Sequence, residues 1–318
     1  MVEIFMKTLP FFALIALGYL AGRTRFFTAE ATGYLTKFVF YFALSAMLFR
    51  FAANLSFWEV LDGDLILAYF GASLAVYLLA TVVAVIRGVG VEQAAIEAQC
   101  AVIGNVGFLG VPMLVLLLGD GAIGPVMLII AVDLIVFGSL VVILITGGRD
   151  GRLAFGVVRT VGLGLMRNPM IMSIALGFGW AALEWPIPAP MNEFLAILGG
   201  AATPGALFAI GASLASKSAE RVSVAIWLST CKLALHPLAV AVAVLYVIPV
   251  DPYAAGVMIA AASLPVAGNV YIIAQHYGVA PQRVSASILI STALSVLSVS
   301  LVIAWITGGG VASALATG

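Results

Sequence analysis

Ten apolar runs follow one another along the chain, at roughly 4–22, 33–53, 65–86, 94–118, 122–146, 169–184, 192–215, 223–248, 254–277 and 284–306, separated by Gly, Pro and charge clusters. A hydrocarbon layer about 30 Å thick asks for about 20 apolar residues per helix. Ten spans then consume about 200 residues and leave roughly ten per connection. The pattern predicts an all-α polytopic membrane protein with ten transmembrane helices. Composition closes off the other classes. With 64% hydrophobic and 9% charged side chains, one water-soluble domain could not bury its own apolar surface. Fourteen Lys plus Arg balance fourteen Asp plus Glu, which leaves no basic surplus for nucleic-acid phosphates and no acidic tail.

The first run could be mistaken for a cleaved leader. Glu3 and Lys7 make a poor basic region and no Ala-x-Ala site follows Leu20, so a retained first helix is expected. Cys100 and Cys231 lie inside apolar stretches without metal-ligand spacing and read as small core hydrophobes. The longest connection, 147–168, mixes Arg149, Asp150, Arg152, Arg159 and Arg167 with Leu153 and Phe155, as a short interfacial helix does.

Positive residues orient the spans. On one side stand Arg23, Arg25, Lys37, Arg87, Arg149, Arg152, Arg159, Arg167, Lys217, Arg221 and Arg283; on the other, termini included, only Lys7 and Arg50. Since Lys and Arg are retained in the cytoplasm, both termini are expected outside it. Trp58, Trp180, Trp185 and Trp305 fall near span ends, as interfacial anchors do.

The halves echo each other. Gly104-Asn105-Val106 in span four matches Gly268-Asn269-Val270 in span nine, and Leu48-Phe49 in span two matches Leu207-Phe208 in span seven. Each match joins a span to the one five further on, so the chain reads as two five-helix repeats. Five is odd, and the second repeat therefore enters the membrane inverted, the architecture of secondary transporters.

Spans four and nine carry the breaks. Span four holds Gly104, Gly107, Gly110 and Pro112; span nine holds Pro265 and Gly268. Proline removes a backbone donor and glycine lowers the cost of leaving helical geometry, so both spans should unwind near the bilayer centre. Unwound backbone is tolerated there only inside protein or along a wet cavity. Each break leaves a half-helix N-terminus suited to a carboxylate, and Asn105 and Asn269 can each donate a side-chain amide to the same anion. The plainer alternative is a pair of Pro/Gly kinks with packing asparagines.

Three ionisable residues stand near the middle of other spans: Asp133 in span five, Lys232 and His236 in span eight. A charge at a helix centre costs about 2.5–3.5 kcal/mol on insertion scales. Asp133 is a candidate proton or cation site, and the Lys232/His236 face an electrostatic partner or gate. A structural Asp133–Lys232 ion pair and a satisfied histidine are the alternatives. Ser287, Ser291, Ser295 and Ser298 form a stripe read as small-residue packing, with a cavity lining as the alternative, and Pro204, Gly205 and Gly211 a kink with close packing. Glu97 and Gln99, at the cytoplasmic start of span four, read as a solvated helix start, with the lining of an access path as the alternative, and His276 as a wet span end. No phosphate loop, His-Glu-x-x-His or Gly-x-Ser-x-Gly occurs, which weighs against ATP-driven and hydrolytic readings.

At Gly104-Asn-Val-Gly-Phe-Leu-Gly-Val-Pro112, Asn168-Pro169, Pro204 to Leu214, and Leu264 to Gln275 with Tyr277-Gly278, the chain resembles the auxin efflux carrier family. That family includes bacterial malonate and malate carriers and plant PIN-FORMED transporters, and is similar in fold to bile acid sodium symporters. The resemblance implies a scaffold in two parts, 1–58 and 169–217, that often dimerises. It implies a moving core at 62–147 and 222–306, joined through a cytoplasmic linker at 148–168, with helices four and nine crossing at their breaks. It implies an organic anion held by Asn105 and Asn269. Relatives often carry a proline where Leu44-Ser45-Ala46 stands, and the long middle loop of plant members is missing.

The expectation is an elevator-type carrier of a small mono- or dicarboxylate in a bacterial-type inner membrane, not an enzyme. It would bind at Gly104, Asn105, Gly107, Pro112, Pro265, Gly268 and Asn269, and form a homodimer through scaffold helices. No cofactor is expected beyond a coupling proton or sodium ion at Asp133, unless membrane potential alone drives the anion. A membrane sensor that binds an anion or lipid without turnover, or a channel, would share most of these features.

Overall fold

The computed structural model describes residues 2–54, 62–150, 159, 162–163, 165–215 and 222–317. Trp58, Glu59, Arg152, Lys217 and Arg221, with most of the 148–168 connection, lie outside the described residues. Among the described residues the chain is helical, without strands. The order is α1 (Val2–Arg23), α2 (Ala29–Ala53), α3 (Gly63–Ile86), α4 (Val91–Val102), α5 (Val106–Leu118), α6 (Asp120–Gly148), α7 (Pro169–Ala182), α8 (Ala189–Leu214), α9 (Val222–Val247), α10 (Pro252–Ala262), α11 (Gly268–Tyr277), α12 (Pro281–Thr307) and α13 (Gly310–Thr317).

Six of these, α2, α3, α6, α8, α9 and α12, are long and apolar enough to cross a membrane, and they coincide with six of the apolar runs. Their starts follow from local chemistry. Asp62 accepts from the backbone of Asp64 and Leu65 at the head of α3, Asn168 from Met170 before α7, and Asp251 from Tyr253 and Ala254 before α10. Pro169 and Pro252 occupy first-turn positions where no backbone donor is missed. Burial along α3 is the reverse of a soluble helix. Leu67, Leu78, Val82 and Ile86 are exposed, whereas Ala68, Tyr69, Ala72, Ser73 and Ala80 are buried. Large apolar side chains outside and small or polar ones inside suit a helix whose surroundings are lipid.

Two sets of helices pack tightly. α1 lies along the second half of α8 so closely that a Cβ on Gly211 would fall 1.9 Å from the Ile15 carbonyl oxygen, and one on Gly18 2.1 Å from that of Phe208. α7 and α8 both pack on the second half of α2, where a Cβ on Gly177 would meet the Phe49 oxygen at 2.8 Å. In the other set α3 packs on α4 and α9, α4 on α6, and α9 on α10 and α12. Pro204 does not end α8; the helix is interrupted at Ala201, just ahead of the proline. Wide π-type turns, with no signature in the sequence, occur at Val39–Ala43, Val106–Gly110, Asp133–Phe137, Cys231–Leu235 and Ala243–Val247. Two of them carry Asp133 and Lys232, in keeping with the association of such turns with functional sites.

Candidate functional site

α4 stops at Val102, and Ile103 is already extended (φ −80°, ψ 109°). α10 stops at Ala262, and helix resumes only at Gly268. The two interruptions lie side by side. Asn105 N–H donates to the Pro265 carbonyl at 2.8 Å, Ala267 N–H donates to the Ile103 carbonyl at 3.0 Å, and Gly104 and Val266 form an isolated antiparallel bridge. Each break therefore supplies the partners that the other lost on leaving the helix, which an apolar interior demands. Ser291 of α12 completes the arrangement by accepting from Val266 N–H at 3.1 Å. Its serine stripe is thus more than packing.

The binding candidates gather around this pairing. Asn105 is 6% exposed, and its side chain makes no hydrogen bond among the described residues. Asn269 lies in the first turn of α11, with its buried Oδ1 unpartnered. Gly268 is exposed and unobstructed, at the helix end where backbone N–H groups have no partner within the helix. Gly107 faces the Met170 side chain, Pro112 sits in the first α-helical turn of α5, and Pro265 serves through its carbonyl.

The mid-span charges form one buried cluster beside the breaks. Lys232 is 0% exposed, and its ammonium donates to the carbonyl of Ala262, the last residue of α10. The same side chain packs against Gly104, where a Cβ would stand 3.1 Å from its Cε and 3.2 Å from Nζ. Nζ is also 3.1 Å from His236 Nδ1. With Lys232 charged, Nδ1 can only accept, and Nε2 then carries the hydrogen toward Ser73 Oγ, 2.9 Å away. One turn before Ser73, the Tyr69 hydroxyl donates to Asp133 Oδ1 at 2.9 Å, and the Tyr69 and His236 rings stand 5.8 Å apart. Asp133 and Lys232 form no ion pair with each other among the described residues.

Sequence reasoning missed Tyr69 and Ser73, whose signal was two polar residues four apart on one face of α3. It also misplaced Glu97 and Gln99. Neither is solvated: Glu97 is 1% exposed, accepts from Arg283 at 2.5 Å and pairs with Arg87. A second arginine 186 residues away in the chain removes the need for water at that helix start. Cys100 and Cys231 are buried and form no disulfide, and His276 is exposed, stacked edge-on against Tyr277.

A helical bundle with large apolar side chains turned outward, spans of membrane length and paired polar breaks in its interior is an integral membrane transport protein. The profile of a family described as "Membrane transport protein" matches residues 3–303. The chain is 34% identical over 307 residues to a protein of Rhizobium meliloti (strain 1021) named "Putative malonate transporter", covering 94% of this chain and 95% of that one. The chain belongs to this membrane transport family, that of the auxin efflux carriers.

Proposed function

We propose that the protein is a secondary active carrier of small organic anions, mono- or dicarboxylates of about the size of the malonate named for its relative. In this reading the ten spans form two inverted five-helix repeats. α4 with α5, and α10 with α11, are the broken fourth and ninth spans that cross at Gly104 and Val266. α1, α2, α7 and α8 form a scaffold through which two copies associate, and the remaining helices form a core that moves against it as an elevator. Both termini lie outside the cytoplasm in a bacterial-type inner membrane. The carrying observation is the backbone pairing of the two breaks, with Asn105 and the unpartnered Asn269 Oδ1 beside it. An anion there meets two side-chain amides and the N-termini of α5 and α11.

Coupling is assigned to protons. The Tyr69–Asp133 bond and the Ser73–His236–Lys232 chain stand side by side, and their carboxylate, phenol, hydroxyl, imidazole and amine all exchange protons. The test is counterflow of labelled malonate in proteoliposomes. Folded Asn105→Ala and Asn269→Ala proteins should lose about tenfold or more in rate, as lost charge-assisted hydrogen bonds imply, and Asp133→Asn should lose the response to a pH gradient. Parental rates in both asparagine variants would refute the site. Ligand binding without counterflow would favour a sensor over a carrier.

A further inference from the structure

A cavity of about 310 Å³ opens between α2, α8 and α5, with Met47, Arg50, Pro112, Leu195, Gly199 and Thr203 among its lining. It is mostly apolar, with a small number of polar groups, as small-molecule sites are. Arg50 is half-buried, and its Nε donates to Asn192 Oδ1 of α8 at 2.9 Å. That bond pins the guanidinium plane, while among the described residues its two terminal nitrogens have no protein partner and no carboxylate pairs with it. The Thr203 hydroxyl also makes no hydrogen bond there. A guanidinium at the edge of an apolar layer is costly, and a fixed fork with both outer donors unused matches a carboxylate. The cavity reaches Pro112, seven residues past Asn105, or about 10 Å at helical rise.

We propose that this cavity is a carboxylate-binding subsite on the path to the breaks. Arg50 holds one carboxylate through its terminal nitrogens, Asn192 positions the fork, and Thr203 supplies a further donor. Met47 and Leu195 flank the short apolar body of the ligand. The subsite rests on the anion-carrier reading, yet it binds independently of the asparagines. Arg50 therefore governs capture, and Asn105 with Asn269 governs turnover.

The experiment measures equilibrium binding of labelled malonate to the purified chain in nanodiscs, together with concentration-dependent counterflow in proteoliposomes. Arg50→Gln should raise the dissociation constant and the half-saturating concentration about 10- to 100-fold, while the maximal rate changes little. Arg50→Lys, which keeps the charge and loses the fork, should fall between that variant and the parent. If Arg50→Gln does not fold, Asn192→Ala and Thr203→Val should each raise half-saturation severalfold. Half-saturation and binding within about twofold of the parent in the folded variants would overturn the subsite while leaving the carrier reading in place. Binding that is lost in Arg50→Gln, in a parental protein that shows no counterflow, would sustain the subsite and refute the carrier. A parental protein that binds neither malonate, succinate nor propionate would overturn the subsite outright.

Discussion

Replacing Lys232 with Met tests whether the buried cluster is one electrostatic unit. The substitution keeps the length of the side chain and removes two hydrogen bonds, to the Ala262 carbonyl and to His236 Nδ1. Hydrogen bonds to charged groups contribute about 1.5–3 kcal/mol each, so their loss costs about 3–6 kcal/mol. Against this, the desolvation of a fully buried ammonium, itself several kcal/mol, is relieved. These two contributions largely cancel, and what remains is the exposure of Asp133 to an interior with no compensating charge. Unit charges 4 Å apart interact by about 4 kcal/mol at an effective dielectric constant near 20, and the interaction falls inversely with separation. Asp133 and Lys232 form no direct ion pair, so their coupling should be about 1–3 kcal/mol by the same relation. Lys232→Met and Asp133→Asn each forfeit that coupling, and the double variant forfeits it once. Its stability should therefore exceed the sum of the single effects by about 1–3 kcal/mol. Cys100 and Cys231 are buried thiols outside any disulfide, so a thiol-reactive fluorophore reports thermal unfolding without an added label. At about 2–4 °C per kcal/mol, the double variant should melt roughly 2–12 °C above additivity. Additivity within about 0.5 kcal/mol would refute the claim that the two charges act together.

Gly211→Val should cost about 3 kcal/mol or more, because its Cβ would fall 1.9 Å from the Ile15 backbone oxygen and force α1 from α8. Loss of monodisperse protein on size exclusion checks it, with Gly71→Ala, where a Cβ meets open space, as the control; equal yields would sink the packing argument. Ser291→Ala leaves the buried Val266 N–H without its acceptor, at about 1–3 kcal/mol, and should lower both melting temperature and transport rate. A variant indistinguishable from the parent in both measurements would show that the second break needs no support from α12.

What was legible in the sequence was what depends on single residues. Pro112, Pro265 and the glycines disfavour continuous helix wherever they stand, and a Lys or Asp inside an apolar run is conspicuous by its cost. The partners of those residues were not legible, because tyrosine and serine are unremarked in membrane helices until a fold brings them to a charge. Tyr69 and Ser73 acquire meaning only beside Asp133 and His236, 64 and 163 residues further on. Glu97 failed in the same way. Its position at a helix start suggested water, and only the approach of Arg283 from α12 explains its burial. In the sequence Ser291 is one of a stripe of small residues, and nothing local sets it apart from Ser287 or Ser295. The contact with Val266 does so.

The charge layout around the breaks follows from how the half-helices end. α4 and α10 arrive with their carbonyl ends, each carrying roughly half a negative charge, and α5 and α11 depart with amide ends carrying roughly half a positive charge. Left alone, the four ends would cancel and offer an anion little. Lys232, bonded to the Ala262 carbonyl and packed against Gly104, sets a positive charge directly against these ends, while the Asp133 carboxylate that offsets it is held apart by the Tyr69 hydroxyl. The nearer charge acts on the carbonyl ends more strongly than the farther one, and the amide pair is left partly uncompensated. An anion can then be attracted to Asn105 and Asn269 although no Lys or Arg needs to touch it, so the lysine acts on affinity from behind the breaks. This separates the two cations by role. Lys232→Met should weaken malonate binding without altering the preference among carboxylates, because its charge has no view of the ligand's shape. Arg50→Gln should change that preference as well, because a fork recognises geometry as well as charge.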